Sequence, residues 1–191
     1  MLTKLLAFGD SLTSGYIYPP QQAWAGLLAQ KLGLELVCHS YNGLTTAEIL
    51  SLVAQAPLPP GQLACLMGGS NDLAWAPGPD VFQQALGHID RAVSLLRQGG
   101  LTVFLGIPTP VPPDAQFDRA LQKWRDMLRA YGQEQRIPLL DFYACLSGPD
   151  KEQYFLDGLH PTLAGHRLMA EYAFGVVREY LAETTGANIT P

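Results

Sequence analysis

Phe8-Gly9-Asp10-Ser11-Leu12-Thr13 places a serine at the exit of an apolar run, and far downstream Asp157-Gly158-Leu159-His160 offers that serine a base. A serine hydroxyl is a poor nucleophile until an imidazole takes its proton. The imidazole in turn needs a carboxylate to fix its tautomer and to stabilise its charged form. Ser11 is therefore the candidate nucleophile, His160 the general base that later acts as acid, and Asp157 the group that orients it. Between them lie Asn42-Gly43 and Gly69-Ser70-Asn71-Asp72, each able to present an N–H donor to a developing oxyanion.

Each of these short strings is also ordinary turn chemistry. A serine after a strand can cap a helix, and an asparagine beside glycine can form an Asx-turn. Order and placement favour the catalytic reading, because each block falls just after an apolar strand-like run or just before a helical pattern. The other histidines have duller positions: His39 at a strand end, His88 on a helix and His166 inside the last helix. Asp10 and Asp72 read as structural residues that bond loop backbone. Tyr16, Tyr18, Trp75 and Phe155 can line an acyl or aryl pocket, with Trp75 and Phe155 the substrate-binding candidates. The order Ser, Asp, His matches lipase-like hydrolases, yet no G-x-S-x-G elbow occurs, which argues against the α/β-hydrolase fold.

Taken in order, the blocks resemble those of the SGNH, or GDSL, hydrolase family: GDS, a later Gly, G-x-N-D and D-x-x-H. The resemblance runs from residue 9 to residue 161. One block departs from the family's frequent Ser-Gly-x-Thr, reading Asn42-Gly43-Leu44-Thr45. The resemblance implies a serine esterase that forms an acyl-enzyme on Ser11. Its oxyanion hole would be built from the Ser11 N–H, Gly43 and Asn71, and it would need no metal or cofactor. Lysophospholipase, acyl thioesterase and carbohydrate O-acetyl esterase are the alternatives within the family. Outside it stands a flavodoxin-like protein whose Ser11–Gly15 loop cradles a phosphate or nucleotide. That reading leaves Asn71, Asp157 and His160 without work.

The elements that must position these residues follow from periodicity. Apolar runs of strand length recur at Leu5–Phe8, Leu34–Val37, Leu63–Met67, Leu101–Ile107 and Ile137–Phe142, with helical patterns between them. Such alternation predicts a three-layer α/β/α fold, with a flavodoxin-like parallel sheet of about five strands and helices on both faces. Trp24, Leu27, Leu28 and Leu32 mark a helix that Gly33 closes, and Thr45 with Glu48 forms a capping-box pattern for the next. Pro79 opens a helix ending at Gly99-Gly100, and another spans about Ala115 to Gln135. The last begins at Pro161 and runs to about Tyr180, which puts His160 at its cap. Ser11, Gly43 and Asn71 all follow strand candidates, so the chemistry should gather at the carboxyl edge of the sheet.

With 191 residues, 48% of them hydrophobic, the chain can bury one sizeable core, read as a single domain over residues 1–184 with a tail at 185–191. A net charge of −5 supplies no basic stripe for nucleic acid, and the expected partner is a small-molecule ester. Cys38, Cys65 and Cys145 are odd in number and widely spaced, which suits reduced thiols and lacks the paired spacing of a zinc site. The amino-terminal apolar stretch is too short for a signal peptide and no run reaches the roughly 20 residues of a membrane span, so a cytoplasmic protein is expected. Only Pro108–Pro113 and Ala144–Leu156 are loops long enough to wall a pocket, which predicts a preference for short acyl or aryl esters.

Overall fold

The computed structural model describes residues 2–75, 78–149 and 151–185. Five strands, β1 (Lys4–Gly9), β2 (Glu35–Ser40), β3 (Leu63–Met67), β4 (Thr102–Ile107) and β5 (Leu139–Asp141), pair in parallel in the order β2-β1-β3-β4-β5. The period-two alternation of β1 divides the core. Leu6 and Phe8 join one apolar cluster, while Leu5 and Ala7 join the other on the opposite face. Strand β3 is buried throughout, which is why it reads as an unbroken apolar run rather than an alternating one.

Helices α3 (Thr46–Gln55), α5 (Val81–Gln98) and α6 (Ala115–Gln135) cover the first face through Ile49, Ile89, Leu121 and Trp124. Helices α2 (Trp24–Leu32), α7 (Phe142–Cys145) and α8 (Leu163–Thr185) cover the second through Trp24, Leu28, Phe142 and Met169. Two short helices, α1 (Ser11–Ser14) and α4 (Ser70–Trp75), start directly beyond β1 and β3. The expected caps are present: Gly33 is left-handed at φ 67°, and Thr45 with Glu48 completes the capping box. Helix α5 starts two residues past Pro79, with Asp80 at its N-cap.

Strand β1 is flanked by β2 on one side and β3 on the other, so the chain reverses its direction of travel between them. That switch point opens a crevice beyond the carboxyl ends of β1 and β3, where ligands of open parallel sheets bind.

One boundary differs from expectation in a way that matters for His160. Helix α8 starts at Leu163, not at Pro161, because Phe155 and Pro161 form an antiparallel bridge. Leu156 N donates to the His160 carbonyl at 2.8 Å and Thr162 N to the Tyr154 carbonyl at 2.8 Å. Thr162 is the residue that caps the helix, its Oγ1 accepting from Gly165 N at 3.2 Å. His160 therefore sits on a closed loop rather than on a helix end. Of the expected tail at 185–191, the part beyond Thr185 lies outside the described residues. Among the described residues no helix is long and apolar enough to cross a membrane.

Candidate active site

The turn out of β1 needs a cap, and Asp10 provides it: its Oδ1 accepts from Leu12 N at 3.0 Å. Ser11 is relieved of that task and stands as the first residue of α1. Asp10 is wholly buried, and its Oδ2 accepts from Ser70 Oγ at 2.8 Å, which ties the turn after β1 to the start of α4 after β3. Burial pushes the Asp10 carboxyl up to about 6, against the pull of the hydrogen bonds from Ser70 and Leu12.

From the far end of the chain, the 155–161 loop brings Asp157 and His160 to the same edge. Asp157 Oδ1 accepts from Leu159 N at 3.0 Å and His160 N at 2.8 Å, an Asx-turn that folds the loop back on itself. Gly158 makes the turn possible, because its φ is 85° and a Cβ there would overlap Pro113. The other carboxylate oxygen, Oδ2, lies 2.8 Å from His160 Nδ1, while His160 Nε2 lies 3.1 Å from Ser11 Oγ. Partial burial would raise the Asp157 carboxyl. The hydrogen bonds from His160 and Leu159 outweigh that effect and hold it below the usual carboxylate range.

The β2–α3 loop and α4 complete the crevice. Asn42 Oδ1 accepts from Ser14 Oγ at 2.8 Å, anchoring the loop that carries Gly43, whose φ is 81°. Asn71 Nδ2 donates to the Leu44 carbonyl at 2.9 Å and, at the longer distance of 3.5 Å, to Asp10 Oδ2. Asp72 accepts from Thr46 N at 2.9 Å and Thr46 Oγ1 at 2.6 Å, locking α4 to the start of α3. Asp10 and Asp72 thus bond neighbouring side chains as well as the loop backbone expected of them.

The model of the GDSL-like lipase/acylhydrolase family matches residues 7–168, most of the chain. The chain belongs to that family. Among curated proteins it is similar to an arylesterase of Vibrio mimicus, 26% identical over 176 residues, covering 88% of this chain and 85% of the relative. It is also similar to the spore germination lipase LipC of Bacillus licheniformis, 24% identical over 200 residues, covering 90% of this chain and 94% of the relative. Among solved structures, a lipolytic G-D-S-L family protein of Veillonella parvula superimposes with a TM-score of 0.81 at 24% identity, covering 92% of this chain and 98% of the other.

Within this GDSL hydrolase the aromatic candidates part company. Trp75 is 73% exposed and leans over Gly43, its Cη2 3.7 Å from where a Cβ would stand. Phe155 is 9% exposed and packs in the core cluster with Trp24 and Met169. Tyr16 stacks on the His160 ring with centroids 3.9 Å apart and planes 13° from parallel. No short-range sequence signal could announce that contact, since it joins residues at opposite ends of the chain. Tyr18 meets His166 edge-on at 6.0 Å.

The remaining histidines are structural. His39 stacks on Phe8 at 5.0 Å, and His88 Nδ1 lies 3.0 Å from Thr46 Oγ1. His166 is fully buried and takes a hydrogen bond from Trp24 N at 3.3 Å, which assigns its remaining proton to Nε2. Desolvation, reinforced by repulsion from His160, pushes its ionisation down to about 4. A buried neutral imidazole contributes stability that is complete above the unfolded value near 6.5 and is lost progressively as pH falls from there to the folded value. At about 1.36 kcal/mol per pH unit, the loss approaches about 3 kcal/mol by pH 4. In urea unfolding, the stability gap between wild type and His166→Asn should therefore narrow by about 3 kcal/mol between pH 7 and pH 4. A gap that stays constant with pH would mean that His166 ionises freely in the folded chain.

Proposed function

We propose that this chain is a serine esterase that hydrolyses carboxylic esters through an acyl-enzyme on Ser11. The reading is carried by the continuous hydrogen-bonded line from Asp157 Oδ2 to His160 Nδ1 at 2.8 Å and from His160 Nε2 to Ser11 Oγ at 3.1 Å. With Nδ1–H donated to the carboxylate, Nε2 carries the lone pair that faces the serine. As Ser11 Oγ attacks the carbonyl carbon, its proton passes to Nε2, and Asp157 stabilises the resulting imidazolium. The tetrahedral intermediate collapses when that proton is given to the departing alkoxide. Water then enters by the mirror-image route: His160 takes its proton, the hydroxide attacks the acyl carbonyl, and the acid leaves as Ser11 is restored.

The carbonyl oxygen gains negative charge in both halves. The Ser11 and Gly43 backbone N–H groups and the Asn71 amide are the donors assigned to it, supported by the Ser14–Asn42 and Asn71–Leu44 hydrogen bonds that tie their three segments together. Because such donors act on the transition state more than on the ground state, Asn71→Ala should lower kcat by roughly 10²–10³ while KM changes little. Steady-state kinetics on p-nitrophenyl acetate measure this. A rise in KM alone would make Asn71 a binding residue.

Short acyl or aryl esters are the proposed substrates. The exposed Trp75, which leans over Gly43, supports a flat aryl group at the entrance. The resemblance to a protein named arylesterase points the same way. A p-nitrophenyl ester series from acetate to palmitate, kept below micellar concentrations, tests this. Each buried methylene adds about 0.8 kcal/mol where a groove accepts it, so a closed pocket gives a peak between acetyl and butyryl and then a decline. A maximum at octanoate or beyond would instead favour a lysophospholipase or acyl thioesterase.

A further inference from the structure

We infer that Tyr16 is a positioning residue for His160, clamping the face of the imidazole so that Nε2 stays on Ser11 Oγ; this rests on the reading of His160 as the general base. The two hydrogen bonds of the imidazole lie in its plane and resist in-plane displacement, but they yield readily to rotation out of it. Asp157 is weakly shielded, with 47% of its side chain exposed, so water competes for the bond that should hold Nδ1. The ring of Tyr16 supplies the missing restraint. At 3.9 Å and 13° it blocks rotation toward its own side and covers one face of an imidazole that is only 14% exposed. When His160 takes the serine proton, the same π face lies against a cation and favours it.

The backbone of Tyr16 supports a functional reason for its place. Its φ is 52°, and among the described non-glycine residues only Arg136 shares a positive value. Arg136 is the left-handed cap of α6, a routine position for such a conformation. Tyr16 caps nothing, because Gly15 already ends α1 at φ 98°. It follows Gly15 in a turn closed by Tyr18 N donating to the Gly15 carbonyl at 3.0 Å, a position where glycine or asparagine is the relaxed choice. An aromatic residue held there is costly in backbone conformation, and costs of this kind concentrate at functional sites.

The strained backbone supplies the test, because glycine at this position relieves the strain while removing the ring. Tyr16→Gly should unfold no more easily than wild type, yet lose about tenfold in kcat with KM within about twofold. Tyr16→Phe, which keeps the face and loses only the hydroxyl, should restore most of that rate. In the His160→Gln background Tyr16→Gly should cost nothing further, since its effect runs through the imidazole. The upfield ring-current shift of the His160 Cε1 proton should vanish in Tyr16→Gly and persist in Tyr16→Phe. Wild-type kcat in Tyr16→Gly would reduce the stack to packing, a rise in KM alone would make Tyr16 a substrate wall, and equal losses in Phe and Gly variants would transfer the role to the hydroxyl. Substantial activity in His160→Gln itself would overturn the reading of the base and leave those outcomes separately legible.

Discussion

Ser11→Ala should lower kcat by roughly 10⁵–10⁶ while the chain remains folded, and it should abolish labelling by a fluorophosphonate probe. The size of the loss follows from the chemistry. Without Oγ there is no acyl-enzyme, and His160 must activate water directly from a geometry built for a serine. Retention of the fold follows from local structure, because Asp10 rather than Ser11 caps α1 and accepts from Leu12 N at 3.0 Å. The deleted hydroxyl leaves little volume behind, so urea unfolding should shift by no more than about 0.5 kcal/mol. What survives should be the contribution of the oxyanion donors and of substrate binding, which elsewhere leaves a rate roughly 10³–10⁴-fold above water. Wild-type hydrolysis by the folded variant would remove Ser11 from the mechanism. Loss of the fold itself would show that the serine supports the turn after all.

Much of the architecture was legible because each signal involved was local. Thr45 and Glu48 meet across a single helical turn, and Gly33 needs only its own φ of 67° to end α2. The strands were legible as apolar runs because both sheet faces are covered, and three of the chemical blocks because each follows a strand end. The boundary that misled is set by a strand-like bridge that helical propensity does not encode. Pro161 is a good first-turn residue by propensity, yet the bridge to Phe155 claims it and delays α8 to Leu163. Phe155 itself packs in the core cluster, where its apolar surface is buried. The partnership of Asp10 with Ser70 spans 60 positions, and no pattern in either segment announces it. Tyr16 is the extreme case. Its identity suggested a pocket wall, whereas its left-handed backbone and its stack on His160 exist only once the ends of the chain have met.

His160→Gln should lower kcat by roughly 10⁵–10⁶, close to the loss in Ser11→Ala, and combining the two should cost no more than either alone. This non-additivity is the sharper test, because it asks whether the two residues form one device. A serine activated only by His160 has nothing to contribute once the imidazole is gone, and an imidazole has nothing to deprotonate once the serine is gone. Glutamine is a demanding replacement, since its amide can still bond Asp157 or Ser11 but cannot carry a proton between them. Asp157→Asn should sit below both, at roughly 10⁴, because the imidazole remains while its tautomer and its charged form lose support. His39, His88 and His166 offer no substitute base, each being held elsewhere by Phe8, Thr46 or Trp24. The measurement is kcat/KM for p-nitrophenyl acetate in the three single variants and the double, with fluorophosphonate labelling run in parallel. If the double variant multiplies the two single losses, Ser11 and His160 act independently, and the 3.1 Å contact between them is only a neighbourly hydrogen bond.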